Sequence, residues 1–216
     1  MFLDFPKRLP FQFIGPPGGA KSATAKATGG TAGIPTIAFD LAAMESSLVG
    51  ASTERLRTAL KIIDAVSQGR MLFIATCNSI ASLPPELRRR FTLGTFFFDL
   101  PTAEERETIC RIYLKKYGVS GDLPDDEGWT GAEIKECCRK AHRLRMTLAE
   151  ASRYIVPVSR SAAEQIKALR QMASGKFLGA STPGLYRYEE EIAAQGRRMV
   201  RRNEPVTLLA PAPSEA

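Results

Sequence analysis

Short apolar runs alternate with amphipathic stretches over the first hundred residues of the chain. In the stretch before Gly69, Leu56, Leu60 and Ile63 recur at the three-to-four-residue spacing of a helix. Strands that alternate with helices along a chain predict an α/β fold with a parallel sheet. Four apolar runs have the length of buried strands, at residues 11–14, 34–41, 71–76 and 95–100.

The pattern changes after Pro101, where strand-like runs stop and capping-box sequences begin. In a capping box, Ser or Thr precedes Glu by three residues and opens a helix. Thr102–Glu105, Thr130–Glu133 and Ser161–Glu164 have this form. The helices predicted to follow them cover about 102–117, 130–154 and 161–173, and a last helix is predicted around 189–202.

These patterns divide the chain into an α/β part and a helical part. The helix before the second strand is predicted to stop at Gly29 and Gly30. The Pro/Ala-rich residues 203–216 are predicted to be disordered. The predicted units are an α/β subdomain at 1–101, a small all-helical subdomain at 102–175, and a C-terminal extension at 176–216, with 175–188 irregular.

Composition places the chain among globular proteins, with 44% hydrophobic and 25% charged residues. No apolar run approaches the roughly 20 residues of a membrane span, and residues 1–9 lack the pattern of a signal peptide. The four cysteines show no C-x-x-C spacing, which favours reduced thiols over zinc ligands or disulfides. The predicted location is the cytoplasm, without membrane contact.

The net charge of +7 raises the possibility of a nucleic-acid partner. However, the basic residues within 135–145 and 197–202 are not interleaved with aromatic residues, as single-strand binding surfaces usually are. We therefore interpret them as solvated helix faces and do not expect nucleic-acid binding.

The chemistry of the chain centres on Gly15 to Ser22, with the sequence Gly-Pro-Pro-Gly-Gly-Ala-Lys-Ser. A strand, a glycine-rich turn, Lys-Ser and a helix form the context of a phosphate-binding loop. Backbone N–H groups surround the phosphate oxygens, the lysine adds a positive charge, and the serine hydroxyl reaches Mg²⁺. The alternative is an ordinary Gly/Pro turn before a helix.

One position departs from the G-x-x-x-x-G-K-[ST] pattern, because Ala20 replaces the second glycine. If this position requires a positive φ, alanine costs roughly 1–2 kcal/mol. If the position already has the negative φ of a helix, the cost is small.

Several further motifs follow in an order that resembles the AAA family of ATPases, over about residues 11–175. Gly15–Ser22 resembles the Walker A loop, and Ala75–Asn78 resembles the sensor-1 strand. The remaining matching segments are Leu48–Gly50, similar to a pore loop; Leu83–Phe91, similar to the segment of the arginine finger; and Thr130–Ile134, similar to the lid motif at the adenine site.

The resemblance implies a nucleotide site for ATP and Mg²⁺, with Ser22 as the metal ligand and Lys21 and Asn78 as catalytic residues. It also implies that Arg90, or else Arg89, acts as the finger on the ATP of a neighbouring subunit. The residues implied to bind nucleotide are Gly15, Pro16, Pro17, Gly18, Gly19, Ala20, Lys21, Ser22, Ala23, Gly131 and Ala132; those of the pore loop are Leu48, Val49 and Gly50.

Taken alone, these residues have simpler interpretations. Asn78 could cap a turn, Arg88–Arg90 could form a solvated helix face, and Leu48 and Val49 could anchor a loop. The last alternative has weight because the aromatic residue usual in such pore loops is absent.

The largest departure from the family pattern is a missing Walker B strand with its Asp-Glu pair. The helix ending at Gly69 leads directly into 71–76, and the only Asp-Glu dipeptide, at Asp126, lies in the helical half. The sheet is therefore expected to have four strands. Either 34–41 moves beside 71–76, or strand edges stay unpaired at a cost of several kcal/mol in unmade hydrogen bonds. Asp40, Glu45 and Asp64 are candidate replacement carboxylates, although Asp40 has the alternative role of a loop cap.

Two functions follow from these expectations. The first is an ATPase that forms a homo-oligomeric ring and couples ATP to the remodelling of a protein substrate. The second is a non-hydrolysing protein, for which ATP is a structural ligand in assembly. The missing carboxylates leave phosphate binding intact and place hydrolysis in question.

Overall fold

The computed structural model describes residues 9–40, 71–79, 91, 93–122 and 125–188, together with 58, 61, 62 and 65. The predictions for the pore loop, the arginine finger, Glu45, Asp64, the helix at 189–202 and the tail at 203–216 lie outside the described residues. Among the described helices, none combines the length and the apolar character needed to cross a lipid bilayer.

The described strands form one parallel sheet in the order β2-β3-β1-β4-β5. The α/β fold class and the four predicted strands are confirmed. The expected number of four strands in the sheet is wrong, because the segment predicted to be irregular adds a fifth strand of two residues. The strands are β1 (Leu9–Ile14), β2 (Thr36–Asp40), β3 (Leu72–Cys77), β4 (Thr95–Phe97) and β5 (Leu178–Gly179).

The internal strand β3 pairs in parallel with β1 on one side and with β2 on the other. All six of its residues are buried, as expected for a strand that is covered on both faces. Strand β2 therefore lies directly beside β3, as expected if the Walker B strand is missing. The carboxyl ends of β1, β2 and β3 consequently meet at one edge.

The helix after the glycine-rich turn, α1 (Lys21–Ala32), continues through Gly29 and Gly30 and ends at Gly33. The predicted stop was wrong because Gly29 serves packing: a Cβ there would lie 2.0 Å from Thr36 Oγ1 at the start of β2. Gly33 ends the helix instead, in the left-handed region with φ 63°, and its N–H bonds to the Gly29 carbonyl.

The helical half contains α2 (Ala103–Tyr117), α3 (Gly131–Leu144), α4 (Leu148–Ser152), α5 (Val158–Ser161) and α6 (Ala163–Ala173). The capping boxes at Thr102 and Thr130 are present. The helix predicted over 130–154 is broken where Arg145 adopts φ 53°. Thr147 then begins α4 with a capping box of its own, which the sequence analysis did not single out.

The third predicted capping box is wrong. Pro157 precedes α5, and the Val158 N–H donates to Glu133 Oε1 at 2.5 Å. That start places Ser161 inside α5, where its hydroxyl donates to the Pro157 carbonyl at 3.2 Å. The next helix, α6, begins after Ala162 without a side-chain cap.

The sheet has an apolar core on each face, and the helical half has its own. Phe13, Ala25, Leu72 and Ile74 form one sheet core, against α1. Cys110, Cys137 and Cys138 lie in the helical core with Trp129 and Ile134. The other sheet core includes Ile14, Phe73, Ala75, Cys77, Phe91, Phe97 and Ala173.

The last helix of the helical half contacts the sheet at Asp99, which follows β4. Arg170 Nε of α6 donates to Asp99 Oδ1 at 2.8 Å, and the Tyr186 hydroxyl donates to Oδ2 at 2.6 Å. Burial and the hydrogen bond to Asp99 raise the pKa of the Tyr186 phenol, so this hydroxyl remains a donor across the physiological range. The division of the chain into units at 101 and 175 stays a prediction. Helix α6, which this division assigns to the helical unit, packs against the sheet core.

The contact between Gly29 and Thr36 generates a stability prediction. Gly29→Ala should lower the free energy of unfolding by about 1–3 kcal/mol, because the added methyl overpacks the α1–β2 contact. Gly30→Ala is the matched control. It has no atom within 4 Å of an added Cβ, and it should raise stability by roughly 0.5–1 kcal/mol through helix propensity. Urea unfolding of both variants measures the difference, and equal effects would contradict the packing role of Gly29.

Candidate functional site: the cleft at the phosphate loop

The glycine-rich loop leaves β1 at Ile14 and enters α1 at Lys21. The helix begins with the Thr24 N–H donating to the Ala20 carbonyl at 2.9 Å. The first backbone N–H groups of any α-helix have no partner within the helix and attract anions. The loop therefore directs an anion-binding helix end at the carboxyl edge of the sheet.

Lys21 is buried, with a relative exposure of 7%. Its ammonium donates to the Gly15 carbonyl at 2.9 Å and to the Pro16 carbonyl at 2.7 Å. Burial lowers the pKa of Lys21 to about 8, although electrostatic interaction with Cys77 and Asp40 acts in the opposite direction. The lysine still carries its charge at neutral pH, and the loop holds that charge close to its own backbone.

Two of the glycines are required by close neighbours. At Gly15, with φ 156°, an added Cβ would lie 2.0 Å from the Phe98 carbonyl oxygen. At Gly18, with φ 79°, it would lie 2.7 Å from Thr130 Oγ1 and 3.1 Å from Ala132 Cβ. The loop is therefore in close contact with the segment after β4 and with the start of α3.

The open question at Ala20 is answered by its backbone, which has φ 63° and ψ 5°. This is the left-handed region, so alanine is strained here by roughly 1–2 kcal/mol relative to glycine. Backbone strain of this kind often accompanies functional sites.

The loop forms one wall of a cleft of about 490 Å³. The sheet edge contributes Asp40 and Asn78 to this cleft, and α3 contributes Gly131 and Ala132. The predicted loop residues that line it are Pro17, Gly18, Gly19, Ala20, Lys21, Ser22 and Ala23. The structure thus brings together most of the predicted nucleotide-binding residues, with the Gly15 and Pro16 carbonyls beneath them as acceptors for Lys21.

A second cavity of about 510 Å³ adjoins the first at the loop. The two cavities share Gly19, Ala20, Ile109 and Gly131, and we refer to them together as the groove. Sequence reasoning missed Ile109 and the other helical residues of the groove. Their only signal is helical spacing: Ile109 and Tyr113 are one turn apart on α2, and Lys135 is one turn after Gly131 on α3.

The start of α3 is fixed by Glu133, which is buried. Its Oε2 accepts from the Thr130 N–H at 2.6 Å and from the Thr130 hydroxyl at 3.0 Å. Its Oε1 accepts from the Val158 N–H of α5. One carboxylate therefore joins two helix starts and holds Gly131 and Ala132 against the loop.

The sheet edge supplies the polar side chains opposite the loop. Asn78 directly follows β3, and Asp40 is the last residue of β2, paired in register with Thr76. Both Asn78 and Asp40 are exposed at this edge. By contrast, Asp126 of the Asp-Glu dipeptide pairs with Arg106 Nε at 3.1 Å in the helical half.

Comparison with known proteins points to one family. The model of the "ATPase family associated with various cellular activities (AAA)" matches residues 11–67. The "Uncharacterized AAA domain-containing protein ycf46" of Gracilaria tenuistipitata var. liui is 30% identical over 176 residues, 59% of this chain and 36% of that protein. The "Proteasome-activating nucleotidase" of Sulfurisphaera tokodaii is 33% identical over 106 residues, 43% of this chain and 27% of that protein.

Among solved structures, the FIGL-1 AAA domain in complex with ADP matches with a TM-score of 0.54 and 17% identity. The match covers 76% of this chain and 78% of that one, and it supports the fold. The chain spans less than half of the length of the curated relatives it matches.

The strain at Ala20 generates a prediction. Ala20→Gly should stabilise the protein by about 0.5–1 kcal/mol, because the relief of the left-handed strain exceeds the added entropy of the unfolded chain. Ala23→Gly is the control in the same loop-helix region: it lies within α1, and glycine there should destabilise by roughly 0.5–1 kcal/mol. Thermal unfolding of both variants checks this, and a destabilised Ala20→Gly would argue against the strain.

Proposed function

Because the chain belongs to the AAA family, we propose that it binds ATP in the groove around Gly15–Ser22. The observation that carries the proposal is the convergence of Lys21, Ser22, Asn78 and the start of α3 on one cleft. Residues far apart in the sequence meet there around a helix N-terminus, which is suited to polyphosphate.

The loop supplies the contacts to phosphate. The Lys21 ammonium lies 2.9 Å and 2.7 Å from two carbonyl oxygens of the loop, which phosphate oxygens would replace as its acceptors. This ammonium is already desolvated, so little further dehydration accompanies its contact with phosphate. The first N–H groups of α1 have no partner within the helix, so they can donate hydrogen bonds to phosphate oxygens.

The oxygen donors at the cleft also suit Mg²⁺, which prefers hydroxyl, carboxylate and phosphate oxygens. The Ser22 hydroxyl would hold the metal, and Ser22 is exposed in the cleft. Bound there, Mg²⁺ would offset the negative charge of the β and γ phosphates.

For the finer function we favour an ATPase that couples turnover to remodelling of a protein substrate or assembly. Asn78, at the end of β3, would orient the attacking water. Arg90, or Arg89 in its place, would reach the ATP of the next subunit in a homo-oligomeric ring. Leu48, Val49 and Gly50 would contact the substrate, and the location would be the cytoplasm.

The second candidate is a non-hydrolysing protein that uses ATP to stabilise its assembly. It is favoured by a specific observation: the 216 residues have their only Asp-Glu dipeptide at Asp126, which pairs with Arg106 away from the cleft. The pair of carboxylates that would bind the metal and polarise water is therefore not supplied by that dipeptide.

Binding is tested with a lysine pair on one helix. Lys21→Ala should weaken ATP binding by about 10–100-fold, because it removes charged hydrogen bonds worth about 1.5–3 kcal/mol. Lys26→Ala, an exposed lysine further along α1, should bind ATP as the unaltered chain does. Calorimetric titration measures both, and equal binding by the two variants would contradict the assignment of the site to the loop.

Phosphate release by the assembled oligomer separates the two functions. We expect slow turnover, below about 1 per second, the low end of ordinary enzymes. For an ATPase, Arg90→Ala should lower that rate by roughly 10³-fold or more while ATP still binds. Tight ATP binding with a rate no higher than that of Arg90→Ala, at high protein concentration, would establish the non-hydrolysing alternative.

A further inference from the structure

We propose that Asp40 supplies the carboxylate of the Mg²⁺ site, as a hydrogen-bond acceptor for water on the metal that Ser22 would hold. The inference rests on the proposed function and deepens it by assigning a residue that lies on β2, outside the loop. The role differs from the loop cap that the sequence allowed.

The first argument is the position of Asp40 in the sheet. Asp40 is the last residue of β2 and pairs with Thr76, two residues before Asn78. On the other side of β3, Phe13 pairs with the same Thr76. Asp40 therefore stands in the same row of the sheet as the end of β1, from which the loop departs.

The distance across this row favours contact through water. Neighbouring strands are about 4.8 Å apart, so β2 lies roughly 10 Å from β1 across β3. Mg²⁺ usually keeps several of its waters when bound to protein. A carboxylate at this range complements a serine ligand by accepting from those waters.

The second argument is the charge distribution within the cleft. Among the described residues that line it, Asp40 is the only acidic one. Lys21 and Lys135 line the same cleft. The carboxylate thus shares the cleft with the ammonium that would contact phosphate.

Three other described acids near the loop accept hydrogen bonds within the fold. Asp99 accepts from Arg170 and Tyr186. Glu105 accepts from the Thr102 N–H in the capping box of α2 at 2.9 Å. Glu133 accepts from Thr130 and Val158. None of these three carboxylates lines the cleft that contains Ser22 and Asp40.

The experiment compares ATP binding in EDTA with ATP binding in Mg²⁺. In the unaltered chain Mg²⁺ should tighten binding. In Asp40→Asn that gain should shrink about 10-fold or more, the usual cost of removing a partner of a metal's ligand shell. Binding in EDTA should stay the same or rise slightly, because a negative charge near phosphate is removed. Mn²⁺ titration of the ATP complex, followed by electron paramagnetic resonance, reports the metal directly.

Two further variants make the result decisive. Asp40→Glu keeps the carboxylate and should recover part of the metal-dependent gain, which a loop cap would not predict. Asp122→Asn, an exposed acid in the helical half, should leave the gain unchanged.

A full Mg²⁺ gain in Asp40→Asn would overturn the inference. So would an equal loss of ATP binding in EDTA and in Mg²⁺, or failure of Asp40→Glu to recover any of the gain. If the unaltered chain bound no ATP in either buffer, the proposed function itself would fall, and the assignment of Asp40 with it.

Discussion

The pairing of β3 with both β1 and β2 is the constraint on which the rest of the structure depends. A parallel strand with an open side leaves a row of N–H and C=O groups unpaired, at a cost of about 1–3 kcal/mol for each buried group. The chain avoids this cost by placing β2 directly beside β3. The same step brings Asp40, Asn78 and the start of the loop to one edge, so closure of the sheet also assembles the polar side of the cleft.

The loop opposite that edge has the marks of a site that is organised for binding at the expense of stability. Ala20 holds a left-handed backbone conformation, and Lys21 is buried deeply enough to lower its pKa to about 8. Both features cost free energy in the folded protein, and both place groups where an anion can use them. Conflicts between local preference and the observed structure are expected at functional sites.

Much of this arrangement could be predicted from local sequence, because the loop and the buried strands each have a short, self-contained pattern. The errors have a common cause: a local pattern does not report which distant group a residue contacts. Gly29 resembles a helix stop, but it is needed for contact with Thr36. Ser161 resembles a helix cap as much as Thr147 does, but the bond from Val158 to Glu133 starts a helix earlier and places Ser161 inside it. The strand β5 has only two residues, too few for any periodicity.

The groups that the chain needs to bind a nucleotide differ from those that it needs to cleave one. Binding a nucleotide with its metal requires backbone N–H groups, a cation and a metal ligand, and a single loop of eight residues would provide all three. Cleavage also requires a base or a polarised water, and in this fold that group must come from a strand end or from another subunit. Asn78 can orient a water but cannot accept its proton as a carboxylate can, and a carboxylate engaged with metal-bound water is a poor base. Loss of the strand that carries the Asp-Glu pair would therefore lower the rate of ATP turnover far more than the affinity for ATP. It would favour a protein whose ATP-bound state is long-lived.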